Sequence, residues 1–358
     1  MTVIYVLGGV VALLVLIALW LKGENLSKYD EDRPVDFECD PDAPHIVAIN
    51  KVIYETFEVP AKGKKGGEPV LGKRARFDQA GLDGTFSATF TPLSIESDNA
   101  PAMSGEWVTH KNSDPNKRIL YIHGGAFTVG SAISHRAITS KLSKLTGASV
   151  CAINYRLMPE NPRLAGIEDC ITAYKWILDN GPNGAAPVEK LCVSGDSAGG
   201  NLTLRVIQWA RDNNVRAADC AVPLSPLADS TCSGQTIKAN MASDHMLRPL
   251  IGHVVGMWQP LLLWGTWAQT KHAPSSPVIS PIFGDLSNLP PTLIHASSTE
   301  ILFDDACRYV VKAKRAGSDA RLQSWSHMPH VWQIFDPVLP EAEHSIKEIA
   351  EFMKTHGF

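Results

Sequence analysis

Apolar positions along this chain recur in two rhythms. From residue 118 onward, short uninterrupted apolar runs alternate with longer stretches in which apolar residues return every three or four positions. The runs at 118–123 (RILYIH), 149–155 (SVCAINY), 190–194 (KLCVS), 219–224 and 292–296 (TLIHA) predict strands buried on both faces. The periodic stretches at 139–145, 163–178, 198–211, 304–314 and 341–352 predict helices, the second stopped by Asn180-Gly181-Pro182. Strands and helices in alternation imply right-handed crossovers and a largely parallel sheet. Nearer the N-terminus, Ile46, Val47, Ile49, Ile53, Tyr54 and Phe57 lie at near-helical spacing and predict one amphipathic helix, followed by a Gly- and Lys-rich loop over 61–69. Residues 230–276 break the rhythm. They hold Met246, Leu250, Met257, Trp258, Leu261, Leu262, Leu263, Trp264 and Trp267 with no clear strand, and read as an insert between two core strands.

A third pattern stands at the N-terminus. Residues 3–21 (VIYVLGGVVALLVLIALWL) carry no charge and show no polar face at any helical period. Their length suits a membrane-crossing helix, and the missing basic region and small-residue cleavage site favour an uncleaved anchor over a cleaved signal. Lys22 and Lys28 follow this run and no side-chain charge precedes it, so the expectation is a single-pass protein with its body on the cytoplasmic side.

Composition narrows the function classes. The 358 residues are 44% hydrophobic and 20% charged, which excludes a mostly disordered chain. Lys and Arg number 33 against 37 Asp and Glu, a net charge of −4 without like-charge blocks, so there is no electrostatic footprint for nucleic acid. The odd count of 7 cysteines, without a C-x-x-C pair, reads as buried reduced thiols rather than a disulfide framework or a zinc site.

The chemistry concentrates in two motifs. Gly195-Asp196-Ser197-Ala198-Gly199 follows one predicted strand and opens a helix, the context of a nucleophile elbow. Flanking glycines let a sharply turned serine approach neighbouring backbone, and the helix N-terminus favours negative charge. Seventy-four residues earlier (197 − 123), His123-Gly124-Gly125-Ala126-Phe127 ends another strand. The amides of Gly124 and Gly125, joined by that of Ala198, are candidate donors to a developing oxyanion, and His123 reads as structural.

These motifs, with YRLMPENP at 155–162, GDSAGGNL at 195–202, the run 280–306 and HMPHVW at 327–332, resemble the hormone-sensitive-lipase-like branch of the α/β-hydrolases, also called bacterial esterase family IV. The resemblance covers about residues 110–350. It implies an α/β-hydrolase fold and a triad in the order Ser, acid, His. Ser197 is then the nucleophile and His330 the base, with His327 as competitor. His327 and His330 also form an H-x-x-H pair, with no third metal ligand nearby. The acid departs from the family's Asp-Pro-Leu-x-Asp: Glu300 stands at the matching position, and Asp304 is the alternative, its other role being to cap the following helix. Asn161 replaces a usual histidine, and Asp196 reads as an orienting residue.

The apolar run and the resemblance together divide the chain into an expected transmembrane anchor (1–21), an N-terminal cap segment (22–68), a first core part (69–229), a helical cap insert (230–276) and a second core part (277–358); the cap roles are what the resemblance implies. It also implies hydrolysis of short- to medium-chain acyl esters through a covalent acyl-enzyme, with no cofactor and no metal. The partners expected are a small-molecule ester, a lipid bilayer through residues 3–21, no nucleic acid, and possible homo-oligomers. If the first helix lies in the cap, the active-site mouth sits near the bilayer and membrane-partitioned esters are favoured. Deacetylase, amide or thioester hydrolysis uses the same triad, and a catalytically silent ligand-binding protein is the alternative of a different class.

Overall fold

A computed structural model describes residues 2–32, 35–58, 70–96 and 101–358 of the chain; for residues 2–4, 6–12, 80, 83 and 253–255 it describes the backbone alone. The expected Gly- and Lys-rich loop at 61–69 lies outside the described residues.

Eight strands form one sheet: β1 (Thr89–Ile95), β2 (Met103–Thr109), β3 (Asp114–Ile122), β4 (Ala148–Ile153), β5 (Lys190–Asp196), β6 (Cys220–Leu224), β7 (Thr292–Ser297) and β8 (Ala320–Trp325). Their order is β1-β2-β4-β3-β5-β6-β7-β8. Only the β1–β2 and β2–β4 pairs are antiparallel. The expected mostly parallel α/β architecture is therefore present. The five predicted strands are β3 to β7, with ends shifted by a few residues. The sequence reading missed β1, β2 and β8, whose half-exposed, polar-interrupted patterns lack the continuous apolar run of a central strand. Pro92 within β1 is tolerated because β1 is an edge. The other edge, β8, is covered by residues 35–39: the Asp36 and Phe37 amides both donate to the Ser324 carbonyl, and Ser326 N–H donates back to Phe37.

The α-helices of eight residues or more are α1 (Thr2–Lys22), α2 (Pro44–Ile53), α3 (Val70–Asp83), α4 (Arg136–Thr146), α5 (Arg163–Asp179), α6 (Ala198–Asp212), α7 (Arg248–Val255), α8 (Gln259–Thr270), α9 (Phe303–Arg315) and α10 (Pro340–Thr355). The period-two alternation of the strands divides the core between the two sheet faces. Leu120, Ile122, Cys151 and Val193 pack with α5, α6 and α9; Ile119, Tyr121, Val150 and Cys192 pack with α4 and α10. Helix α4 ends at Gly147, whose φ of +69° gives the left-handed cap. All seven cysteines are free thiols, and Cys151, Cys170, Cys192, Cys220 and Cys307 are buried.

The N-terminal run does form a helix, but the expectation of a crossing anchor needs correction. Among the described residues, no helix is long and apolar enough to cross a membrane. The last turns of α1 belong to the body: Ala18 and Leu21 are buried, and α1 packs against α8. Part of the expectation rests on side chains 3, 4 and 6–12, which lie outside the described residues. The single-pass topology and its cytoplasmic orientation are thus unsupported.

Candidate active site

The carboxyl ends of the central parallel strands carry the two motifs. At the end of β5 the chain turns through Ser197, at φ +53° and ψ −112°, directly into α6. A non-glycine residue held there stores on the order of 1–3 kcal/mol of strain. The turn is held because Ser197 N–H donates to the Leu224 carbonyl of β6 at 2.8 Å. The glycines beside it are required by distance. A Cβ at Gly195 would lie 2.4 Å from the Ile122 carbonyl oxygen, and one at Gly199 would lie 1.9 Å from the same oxygen. The elbow therefore packs against the end of β3, which delivers His123–Phe127 beside it. Ser197 keeps partial exposure while Asp196 and Ala198 are buried.

The loop after β3 runs through three successive positive-φ residues, Gly125 (+109°), Ala126 (+52°) and Phe127 (+61°). Its amide directions follow from what holds the carbonyls. In a trans peptide, C=O and the next N–H point opposite ways. The Gly124 carbonyl accepts from His123 Nδ1 at 2.7 Å, which turns the Gly125 N–H the other way. The Gly125 carbonyl accepts from the Thr128 and Val129 amides, each at 3.0 Å, which does the same for Ala126. The Gly124 N–H, by contrast, donates to Asp196 Oδ1 at 3.1 Å. This departs from the expected donor set: Gly124 is committed to a carboxylate, whereas the Gly125, Ala126 and Ala198 amides meet no acceptor among the described residues. The sequence reading passed over Ala126 because the motif's spelling does not reveal which peptide faces the nucleophile.

His330 sits on the loop after β8 and Glu300 on the loop after β7. His330 Nδ1 meets Glu300 Oε2 at 3.0 Å, and both side chains are buried. His330 Nε2 has no hydrogen-bond partner among the described residues. The neighbouring Val331 N–H donates to Ser225 Oγ at 3.4 Å, one residue beyond the Leu224 carbonyl that holds Ser197. Burial by itself makes the imidazole harder to protonate, but the hydrogen bond and charge of Glu300 outweigh it, so His330 titrates above its ordinary value. Burial raises the Glu300 carboxyl, and His330 opposes that rise.

The other candidates lie elsewhere. Asp304 caps a helical turn of the insert, Thr236–Ala239, accepting from the amides of Gln235 and Thr236. Its neighbour Asp305 accepts from the amides of Ala228 and Asp229. His327 is exposed at φ +57°. Asn161 donates to the Leu157 carbonyl within its own turn. His123 is buried and stacks on Tyr155, and burial, reinforced by the charge of His135, pushes it down to about 3, so it stays neutral. A cavity of about 770 Å³ lies away from this centre, between the end of α1, the insert and Arg308, and none of Ser197, Glu300 or His330 lines it.

Comparison with known proteins identifies the fold and family. The family model described as alpha/beta hydrolase fold matches residues 119–334. An acetyl-hydrolase of Streptomyces hygroscopicus is 35% identical over 252 residues, 70% of this chain and 80% of its own. An esterase of Acinetobacter venetianus is 31% identical over 240 residues, 65% of this chain and 73% of its own. Among solved structures, an esterase from the bacterial hormone-sensitive lipase family superposes with a TM-score of 0.74 at 28% identity, covering 88% of this chain and 98% of that one. EstE5, soaked with p-nitrophenyl butyrate, superposes with a TM-score of 0.74 at 33% identity, covering 88% and 99%. With its elbow, glycine loop and matched length, this chain belongs to the α/β-hydrolase-fold family, in its hormone-sensitive-lipase-like branch.

Proposed function

We propose that this carboxylic ester hydrolase works through a Ser197–His330–Glu300 triad, with short- to medium-chain acyl esters as substrates. The observation that carries the reading is the buried His330–Glu300 pair, whose free Nε2 belongs to the loop packed beside the elbow. His330 Nε2 takes the Ser197 proton as Oγ attacks the ester carbonyl. The carbonyl oxygen becomes an oxyanion on the Gly125, Ala126 and Ala198 amides. His330 then protonates the departing alkoxide, and water repeats the cycle on the acyl-enzyme. Glu300 holds the imidazole tautomer and stabilises the imidazolium. The insert serves as a cap over the acyl pocket. The test is a p-nitrophenyl ester series from acetate to palmitate, in which turnover should peak at short to medium chains with a burst of p-nitrophenol. Turnover of amides or thioesters with no ester cleaved would replace the ester reading with its alternative.

Attachment to a bilayer surface, without crossing it, is the second part of the reading. Four consecutive α1 residues, Leu13 to Leu16, are 42–63% exposed, so every face of that turn is bare and apolar. Leu19 and Trp20 continue the patch, and Trp258, Leu261 and Trp267 in and beside α8 are exposed on the helix that α1 packs against. Apolar surface of this extent marks an interaction site. The full chain is expected to float with phosphatidylcholine vesicles. A chain lacking residues 2–16, which keeps Ala18 and Leu21, should stay behind while hydrolysing soluble esters unchanged. Equal flotation of both chains would reject the attachment.

A further inference from the structure

Behind the glycine loop lies a buried polar chain that the triad does not use. Asp196 Oδ1 accepts from Gly124 N–H at 3.1 Å and from Tyr121 Oη–H at 2.7 Å. Its Oδ2 meets His135 Nε2 at 3.3 Å. The other ring nitrogen, Nδ1, lies 3.1 Å from the Ser131 carbonyl oxygen and 2.9 Å from Ser134 Oγ. Because the Ser134 hydroxyl itself donates to that carbonyl, it is left as an acceptor toward the ring. Both imidazole nitrogens thus face acceptors, which requires a proton on each. His135 and Asp196 form a buried ion pair with side chains only 3% and 4% exposed. The groups packed around the imidazolium are Tyr121, the neutral His123 and, through Ser131, Asp78.

The pair is tied to the N-terminal part of the chain. Ser131 Oγ–H donates to Asp78 Oδ1 of α3 at 2.5 Å. One turn earlier on the same helix, Arg74 Nε–H donates to the Thr128 carbonyl at 2.8 Å. A Cβ at Gly81 would lie 1.8 Å from the Ile133 carbonyl oxygen, so α3 sits directly on residues 128–134. Helix α3 therefore clamps the segment that follows the three positive-φ residues, and His135–Asp196 grips the peptide that precedes them. A Cβ at Gly124 would lie 2.1 Å from Asp196 Oδ2, so the grip itself requires glycine there. Three consecutive left-handed residues persist only where their surroundings over-determine them.

We propose that His135, acting through Asp196 and braced by Asp78 of α3, is a positioning residue of the oxyanion hole. The ion pair fixes the Gly124 peptide, and with it the direction of the Gly125 and Ala126 N–H groups. This rests on the oxyanion reading above. The direction of titration agrees with it: burial opposes the charge on both partners, and each outweighs that for the other, raising His135 and lowering Asp196.

The experiment compares His135→Leu, Asp78→Ala, Asp196→Asn and the His135→Leu/Asp196→Asn double variant. Each is assayed for kcat and KM on p-nitrophenyl butyrate and for inhibition by an alkyl trifluoromethyl ketone. Ser197 Oγ adds to the ketone carbon, the carbonyl electron pair becomes an oxyanion in the hole, and the serine proton passes to His330. His135→Leu should lower kcat and ketone affinity together by about 10²–10³-fold, the usual effect of losing one such donor, with KM within about 3-fold. Asp78→Ala, altering a half-exposed side chain, should lose about 10-fold in the same two quantities. Asp196→Asn keeps an oxygen for Gly124 without needing a cation, so the double variant should regain at least about 10-fold over His135→Leu. If His135→Leu does not fold, Asp78→Ala and Asp196→Asn carry the same readouts. Wild-type kcat and ketone affinity in His135→Leu, or in Asp78→Ala where that variant decides, would overturn the proposal. So would loss of kcat without loss of ketone affinity. Turnover surviving in Ser197→Ala would instead sink the esterase reading beneath it.

Discussion

Ser197→Ala should reduce kcat on p-nitrophenyl butyrate by on the order of 10⁶-fold and remove the burst of p-nitrophenol. The size follows from what the side chain does. Without Oγ no acyl-enzyme forms, and the unspent amides and binding pocket can assist only direct attack by water. The fold should be untouched, because the turn is held by the backbone bond from Ser197 N–H to Leu224 and by the two crowded glycines, none of which involves Oγ. Alanine at φ +53° carries the same strain as serine, so melting temperatures should agree within a few degrees. Residual turnover within about 10²-fold of wild type would mean that another nucleophile acts, and the triad assignment would fall.

Glu300→Gln is the second large effect, expected at about 10⁴-fold in kcat, whereas Asp304→Asn should retain activity within about 3-fold. The carboxylate accepts from His330 Nδ1, which leaves Nε2 bare for the serine proton. A glutamine can present its amide nitrogen to that position and select the wrong tautomer. Asp304 instead accepts from the amides of the helical turn at residues 236–239, and an asparagine oxygen can still do so, so Asp304→Asn should cost well under about 1 kcal/mol of stability and leave catalysis intact. The pH profile gives an independent check. His330 must be neutral to act as base, and Glu300 holds its proton affinity above the ordinary value of 6.5. The kcat/KM of wild type should therefore fall as pH drops through a value above 6.5, and in Glu300→Gln that limb should move to lower pH. An unmoved limb, or an Asp304→Asn variant as crippled as Glu300→Gln, would reassign the acid.

Much of this was legible in the residues before any folding. Each central strand announces itself because a strand covered on both faces must be apolar throughout, as the wholly buried residues of β4, β6 and β7 show. The elbow is legible because its glycines answer to a local distance, the approach of the end of β3. The edge strands β1 and β8 were not, since an edge tolerates polar residues and proline, and neither was β2 beside β1, whose run is broken by Ser104, Gly105 and Glu106. Helix α3 was passed over because its residues carry little periodic contrast: Leu71 and Leu82 are exposed and Gly72, Lys73, Arg74 and Arg76 interrupt the pattern. Yet α3 supplies Arg74 and Asp78 to the loop after β3, contacts 54 and 53 residues apart in the chain.

The sequence by itself determined the alternation of strands and helices, the strand-turn-helix around Ser197 and the candidates from which a site could be built. Those properties depend on neighbours within a few positions, where periodicity and glycine spacing speak directly. Only the tertiary structure decided that Glu300, rather than Asp304, faces His330, because both acids lie within one short segment and differ in which way the chain turns them. It alone decided that Gly124 turns its amide away toward Asp196, and that Ala18 and Leu21 are spent on the body rather than on a membrane crossing. Each of these is a choice between partners far apart in the chain, made by packing and by the need to satisfy buried polar groups.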